Sequence, residues 1–109
     1  MAYDAQLAER TRQTLLRTRG IREQKMFGGL CFLLHGNILV GVWRDSLVVR
    51  LGLDKAATAL FEPDVRPFNI TGHAMKGWIV VQPAGCEDDQ SLADWIQRAK
   101  TFVQKLPKK

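Results

Sequence analysis

Two hydrophobic periods alternate along the chain. The clearest lies near the C-terminus, where Leu92, Trp95, Ile96, Ala99, Phe102, Val103 and Leu106 recur at spacings of three and four. That spacing predicts an amphipathic helix, and Glu87, Asp88 and Asp89 before it, with Lys100 and Lys105 toward its end, suit the helix macrodipole. A weaker stripe of Leu7, Thr11, Leu15 and Thr18 predicts a first helix, capped by Asp4, running to about Thr18 and stopped by Gly20. Between the helices the period changes. Met26 to Leu34 and Ile38 to Trp43 read as extended runs, and Gly36 and Asn37 between them predict a two-residue hairpin turn that pairs Leu34 with Leu39, Phe32 with Gly41 and Leu30 with Trp43.

A second turn at Arg44, Asp45 and Ser46 leads into a strand over Leu47 to Leu51. Asp54 is placed to cap a short helix through Lys55, Ala56, Ala57 and Leu60 that Pro63 ends. Phe68 and Ile70 alternate in a brief strand with Pro67 at its start, where a missing amide is tolerated at a sheet edge. Trp78 to Val81 supplies a fifth strand. The order is helix, three strands, helix, two strands, helix. It predicts an α+β fold in two layers, an antiparallel sheet of about five strands with flanking helices, as a single domain over residues 1–109. Leu30, Phe32 and Leu34 fall on one face of the first hairpin, and Cys31, Leu33, Val40 and Val42 on the other. Two apolar faces predict a covering partner, and a homodimer is expected.

A chain of 109 residues with 46% apolar and 25% charged positions is of ordinary globular make-up and long enough to close one core without metals or disulfides. Met26 to Trp43 carries no charge, yet His35, Gly36 and Asn37 break it at the middle, which a lipid-spanning helix does not tolerate. No basic and apolar leader opens the sequence, so no membrane is expected and the cytoplasm is the expected compartment. The net charge is +5, and it is terminal: residues 1–25 hold six Lys/Arg against three acids, residues 95–109 five against none, and the middle five against eight. This distribution suits the solvated faces of two helices, and any nucleic-acid binding is expected to be weak or indirect.

Gly28 and Gly29 head a strand and match neither the dinucleotide nor the Walker spacing, so they predict a bulge or a close backbone approach. Phe27 reads as a core or interface anchor. Gly72 to Trp78 reads as a loop that sets the cation of Lys76 beside the ring of Trp78, either as a recognition surface or as a turn delivering Trp78 to the core. Arg50 interrupts an apolar strand, and an ion pair is expected to hold it there. Cys31 and Cys86 form no disulfide framework, and with His35 and His73 they lack zinc-type spacing. Ser46 and Ser91 lack a nucleophile motif, and His35 at a hairpin tip lacks an orienting shell. No cofactor, metal or catalytic residue is therefore assigned.

Lys25, Met26, Phe27, Gly28 and Gly29, then Arg50 and Gly52, then Pro67 and Phe68, and finally Gly72 with Met75, Lys76, Gly77 and Trp78 together resemble the signature of the TfoX (Sxy) N-terminal domain. The opening Met1, Ala2, Tyr3 and Asp4 are similar to stand-alone members. The resemblance implies a fold similar to the secretion-chaperone class, often dimeric, and a bacterial regulatory role. Full-length TfoX proteins control natural competence together with the cyclic-AMP receptor protein, and this chain reads as a stand-alone member without their C-terminal domain. It implies a non-enzymatic regulatory or protein-interaction domain with a partner in the transcription machinery. Met75, Lys76, Trp78 and Arg50 are the candidate interaction residues. Two other readings stand beside it: a weak, non-specific nucleic-acid-associated protein, and a small-anion-binding protein or enzyme using Lys76 and Trp78 with Arg50.

Overall fold

The structure, a computed structural model, describes residues 3–26, 28–69, 72 and 74–109. Helix α1 (Ala5–Thr14) leads into a meander of β1 (Ile21–Met26), β2 (Gly29–Leu34), β3 (Asn37–Trp43) and β4 (Ser46–Arg50). Helix α2 (Leu53–Ala59), the pair β5 (Val65–Asn69) and β6 (Ala74–Val81), and helix α3 (Asp89–Val103) complete the chain. The strands form one antiparallel sheet in the order β1-β2-β3-β4-β6-β5. The expected α+β class and helix order hold, with one strand more than five. Phe27, Ile70 and His73, and the opening Met1 and Ala2, lie outside the described residues.

The added strand is β1. Its residues Arg22, Glu23, Gln24 and Lys25 are all exposed, because β1 is an edge strand that meets the main core only through Ile21 at its start, so it carries no apolar alternation. The expected run from Met26 to Leu34 is therefore divided between two paired strands, with Met26 opposite Gly29 and Gly28 at φ 74°. The close approach expected at the paired glycines is found at Gly29, where a Cβ would run into the carbonyl oxygen of Val42.

The register of the next hairpin differs from the predicted one. Its turn residues are His35 and Gly36, at φ 50° and 86°, with Leu34 opposite Asn37. Two successive positive φ values give the twist that favours tight hairpins. A bulge then advances the register, so Cys31 faces Gly41, Phe32 faces Val40 and Leu30 faces Val42. Val40 and Val42 consequently share the face of Leu30 and Phe32 rather than the opposite one. Asn37 is occupied elsewhere: its side-chain amide donates to the Pro107 carbonyl at 2.9 Å, and the Lys109 amide donates to the His35 carbonyl, also at 2.9 Å.

The core lies between this face and the helices. Leu30, Val42, Leu47, Val81 and Val65 form one continuous rung across five strands, all buried. Leu7, Ala8 and Leu15 from the α1 region, Ala56 and Ala59 from α2, and Leu92, Trp95, Ile96, Ala99 and Val103 from α3 close over it. Burying such a set of aliphatic side chains, at roughly 1.5–3 kcal/mol each, is what holds the layers together. Asp4 caps α1 by accepting from the Gln6 and Leu7 amides, and Asp88 caps α3 through the Ser91 amide. The regular part of α1 ends at Thr14, a turn earlier than its stripe predicts. At α2 the expectation of an Asp54 cap fails. The N-cap is Gly52 at φ 86°, and Asp54 sits in the first turn, where its charge still suits the dipole.

Val48, Phe68 and Val80 make a smaller buried cluster on the other face of the sheet, with Trp43, Met75 and Trp78 packed half-buried against it. Phe68 stands between the two indoles, its ring centre 5.8 Å from that of Trp43 and 6.2 Å from that of Trp78. Pro67 and Phe68 thus sit on the edge strand β5, as expected, with a break in the ladder between Pro67 and Asn69.

Candidate functional site

Gly77 organises the first candidate site. Its φ of 89° is open to glycine at no steric cost, and its carbonyl accepts from the amides of both Leu51 and Gly52, at 2.9 and 3.1 Å. That doubled acceptance ends the pairing of β4 with β6 and launches α2. The segment read as a loop is thus largely strand: Ala74 to Trp78 are the first residues of β6. Met75 leans on the Phe68 cluster, Lys76 is exposed, and Trp78 is half-buried opposite Arg50 in the ladder.

Arg50 corrects a second expectation. Among the described residues no carboxylate lies within ion-pair distance of it. Instead its guanidinium carbon stands 5.1 Å from the centre of the Trp78 ring and 5.9 Å from that of Phe102, with a long hydrogen bond of 3.4 Å to the Ile38 carbonyl. Partial burial lowers its pKa, without bringing its charge into question. Aromatic faces supply the electrostatic partner that an acid was expected to supply.

Phe102 connects this cluster to a second feature. Helices α2 and α3 leave an open groove of about 310 Å³ between them. Lys55 and Thr58 line it from α2, Arg98, Thr101 and Phe102 from α3, and Lys105 from the turn that follows α3, over Leu51. The spacings 55/58 and 98/101/102 each place side chains on one helical face. Arg98 bonds both carboxylate oxygens of Glu62, at 3.1 and 2.7 Å. Those bonds to Glu62 raise its pKa. Lys55 and Lys105 are exposed and have no ion pair among the described residues. Sequence reasoning missed this groove because its walls come from segments some forty residues apart; the basic pair Arg98 and Lys105 was the available signal.

The remaining sequence candidates are dispersed. Lys25 is exposed on β1, Gly72 is exposed, and Gly52 lies against the Phe102 ring, which a Cβ there would meet at 2.6 Å. Cys31 and Cys86 are both buried and unbridged; burial pushes the Cys31 thiol up to about 11 and raises that of Cys86. Ser46 bonds the Asp45 carboxylate, and the Ser91 amide bonds Asp88. The basic N-terminal helix is largely neutralised internally. Arg10 pairs with Asp89 and donates to the Cys86 and Glu87 carbonyls, and Arg12 pairs with Glu9 and Glu23.

Among the described residues, no helix is long and apolar enough to cross a membrane. Compared with family models, residues 13–103 match the TfoX N-terminal domain. Neither the curated proteins nor the solved structures compared with the chain give a match.

Proposed function

Because the chain belongs to the TfoX N-terminal domain family, we propose that it is a non-enzymatic regulatory domain that acts by binding another protein, a partner in the transcription machinery, from the cytoplasm. The observation that carries this reading is the surface around Arg50. A guanidinium without a carboxylate is held between the rings of Trp78 and Phe102, with exposed Lys76 two residues from Trp78 in the chain. Arginine and tryptophan together are the side chains that most often anchor protein interfaces. The test is affinity capture from cell extract by wild-type and Lys76→Ala chains of equal melting temperature. A partner captured by the wild type and released by the variant supports the reading, and retention of every captured partner by Lys76→Ala removes Lys76 from the surface.

The same reading includes a homodimer through the sheet face that bears Trp43, Met75 and Trp78, since the helices pack on the opposite face. Sedimentation equilibrium at tens of micromolar decides it, and a clean monomer there overturns it. Nucleic-acid binding is expected to be weak and indifferent to sequence, because Arg10, Arg12 and Arg98 are already paired within the chain. Titration with specific and scrambled duplexes across salt concentrations measures it; discrimination between them at physiological salt would argue for direct readout.

A further inference from the structure

We propose that the groove between α2 and α3 is the docking site for an acidic, amphipathic peptide segment of a partner protein, with an apolar side chain seated on Leu51 and Phe102 and carboxylates meeting Lys55 and Lys105. The inference rests on the protein-interaction reading above and names the chemistry of the partner.

Three features of the groove select this occupant. The first is charge. Of the cations lining it, Arg98 is held by Glu62, with Asp94 at 3.9 Å, whereas Lys55 and Lys105 are exposed and lack an acid. The site therefore offers two uncommitted positive charges, one from each wall. The second is the floor, where buried Leu51 and half-buried Phe102 give apolar contact that a purely ionic ligand would leave unused. The third is size and shape. About 310 Å³ lies at the small end of ligand sites and accepts one or two side chains rather than a whole helix. Lys55 and Lys105 come from different walls of the groove, which suits a chain carrying more than one carboxylate. The hydroxyls of Thr58 and Thr101 already donate to the Asp54 and Gln97 carbonyls, so the lysines are left as the donors to an acidic ligand.

The experiment is an NMR titration of the full ¹⁵N-labelled chain with a synthetic peptide of about a dozen residues. The peptide carries leucine and phenylalanine one helical turn apart, flanked by glutamates. Parallel titrations use the same peptide with lysine in place of each glutamate, octanoate, and a single-stranded oligonucleotide. The expected result is amide shifts centred on Lys55, Thr58, Thr101 and Lys105 with the acidic peptide, and at least tenfold weaker binding to the Lys55→Glu, Lys105→Glu double variant at unchanged melting temperature. Equal binding of the lysine peptide, shifts centred elsewhere, or equal or tighter binding of octanoate or the oligonucleotide at these residues would overturn the proposal. Its failure is separable from failure of the reading it rests on. If the acidic peptide does not bind but Lys76→Ala still releases captured partners, the groove assignment alone falls. If the peptide binds while Lys76→Ala retains every captured partner, the groove stands without the Arg50 surface.

Discussion

Arg98 on α3 clasps Glu62, just past α2, through two hydrogen bonds of 3.1 and 2.7 Å, and its guanidinium carbon lies 4.1 Å from the centre of the Trp95 ring. One side chain thereby ties the two helices that form the groove walls. Both partners are about one-third exposed, so the pair is screened and its worth is modest. Glu62→Gln is expected to lower stability by up to about 1 kcal/mol. The loss should shrink at high salt. Urea unfolding at two ionic strengths checks it, and an unchanged difference at both would mean that the paired hydrogen bonds, not a screened charge, are what Glu62 supplies.

Trp78 and Lys76 should separate cleanly. Trp78→Ala removes a half-buried ring that contacts Phe68 and Arg50, and is expected to cost about 2 kcal/mol, below the range for a fully buried aromatic. Lys76→Ala should stay within about 0.5 kcal/mol of wild type, as exposed substitutions do. Thermal unfolding of both variants tests this, and a Trp78→Ala chain as stable as wild type would show that the indole packs nothing of consequence.

Gly52→Ala should be costly for two separate reasons. The backbone there is at φ 86°, and the new methyl would meet the Phe102 ring at 2.6 Å. The backbone conformation alone is worth about 1–3 kcal/mol. A fall in melting temperature with altered Phe102 ring signals by NMR is expected, because that ring is the groove floor. An alanine variant of wild-type stability would mean that α2 has another way to begin.

Cys31 gives a pH dependence. Burial holds its thiol pKa at about 11, above the ordinary 9.0, so the folded chain keeps the proton after the unfolded chain has lost it. Its contribution is whole below pH 9 and is lost as pH rises through about 11, on the order of 2 kcal/mol in all. Denaturation midpoints measured from pH 8 to 11 for wild type and Cys31→Ala should converge as pH rises. In the native state below pH 9 a disulfide reagent should modify Cys31 slowly, and both thiols should react fully on unfolding.

The long-period elements were legible in the sequence, and the side-chain pairings were not. Spacings of three and four locate α3 because one face of it is buried throughout. β1 was invisible because an exposed edge strand has no period to read: Arg22 to Lys25 look like a loop. At the β2–β3 hairpin the register differs from the one Gly36 and Asn37 suggest, because His35 adopts a positive φ before Gly36 and a bulge shifts the remaining pairs. An acid is the partner that sequence suggests for Arg50, because sequence shows charges but not that Trp78 and Phe102 converge on it from β6 and α3. The groove needed the fold itself, which alone brings Lys55 opposite Lys105.

The two ends of the sheet have a consequence for how copies of the chain can meet. On one side β1 presents Arg22, Glu23, Gln24 and Lys25 to solvent; on the other β5 carries Pro67, which has no amide to offer, beside a break in its ladder. Charged side chains and proline are the devices that deny a sheet edge to a newcomer. Growth of the sheet by strand addition is thereby blocked at both margins. Self-association of this domain, where it occurs, is therefore expected to use the sheet face or the helices rather than strand pairing at the margins.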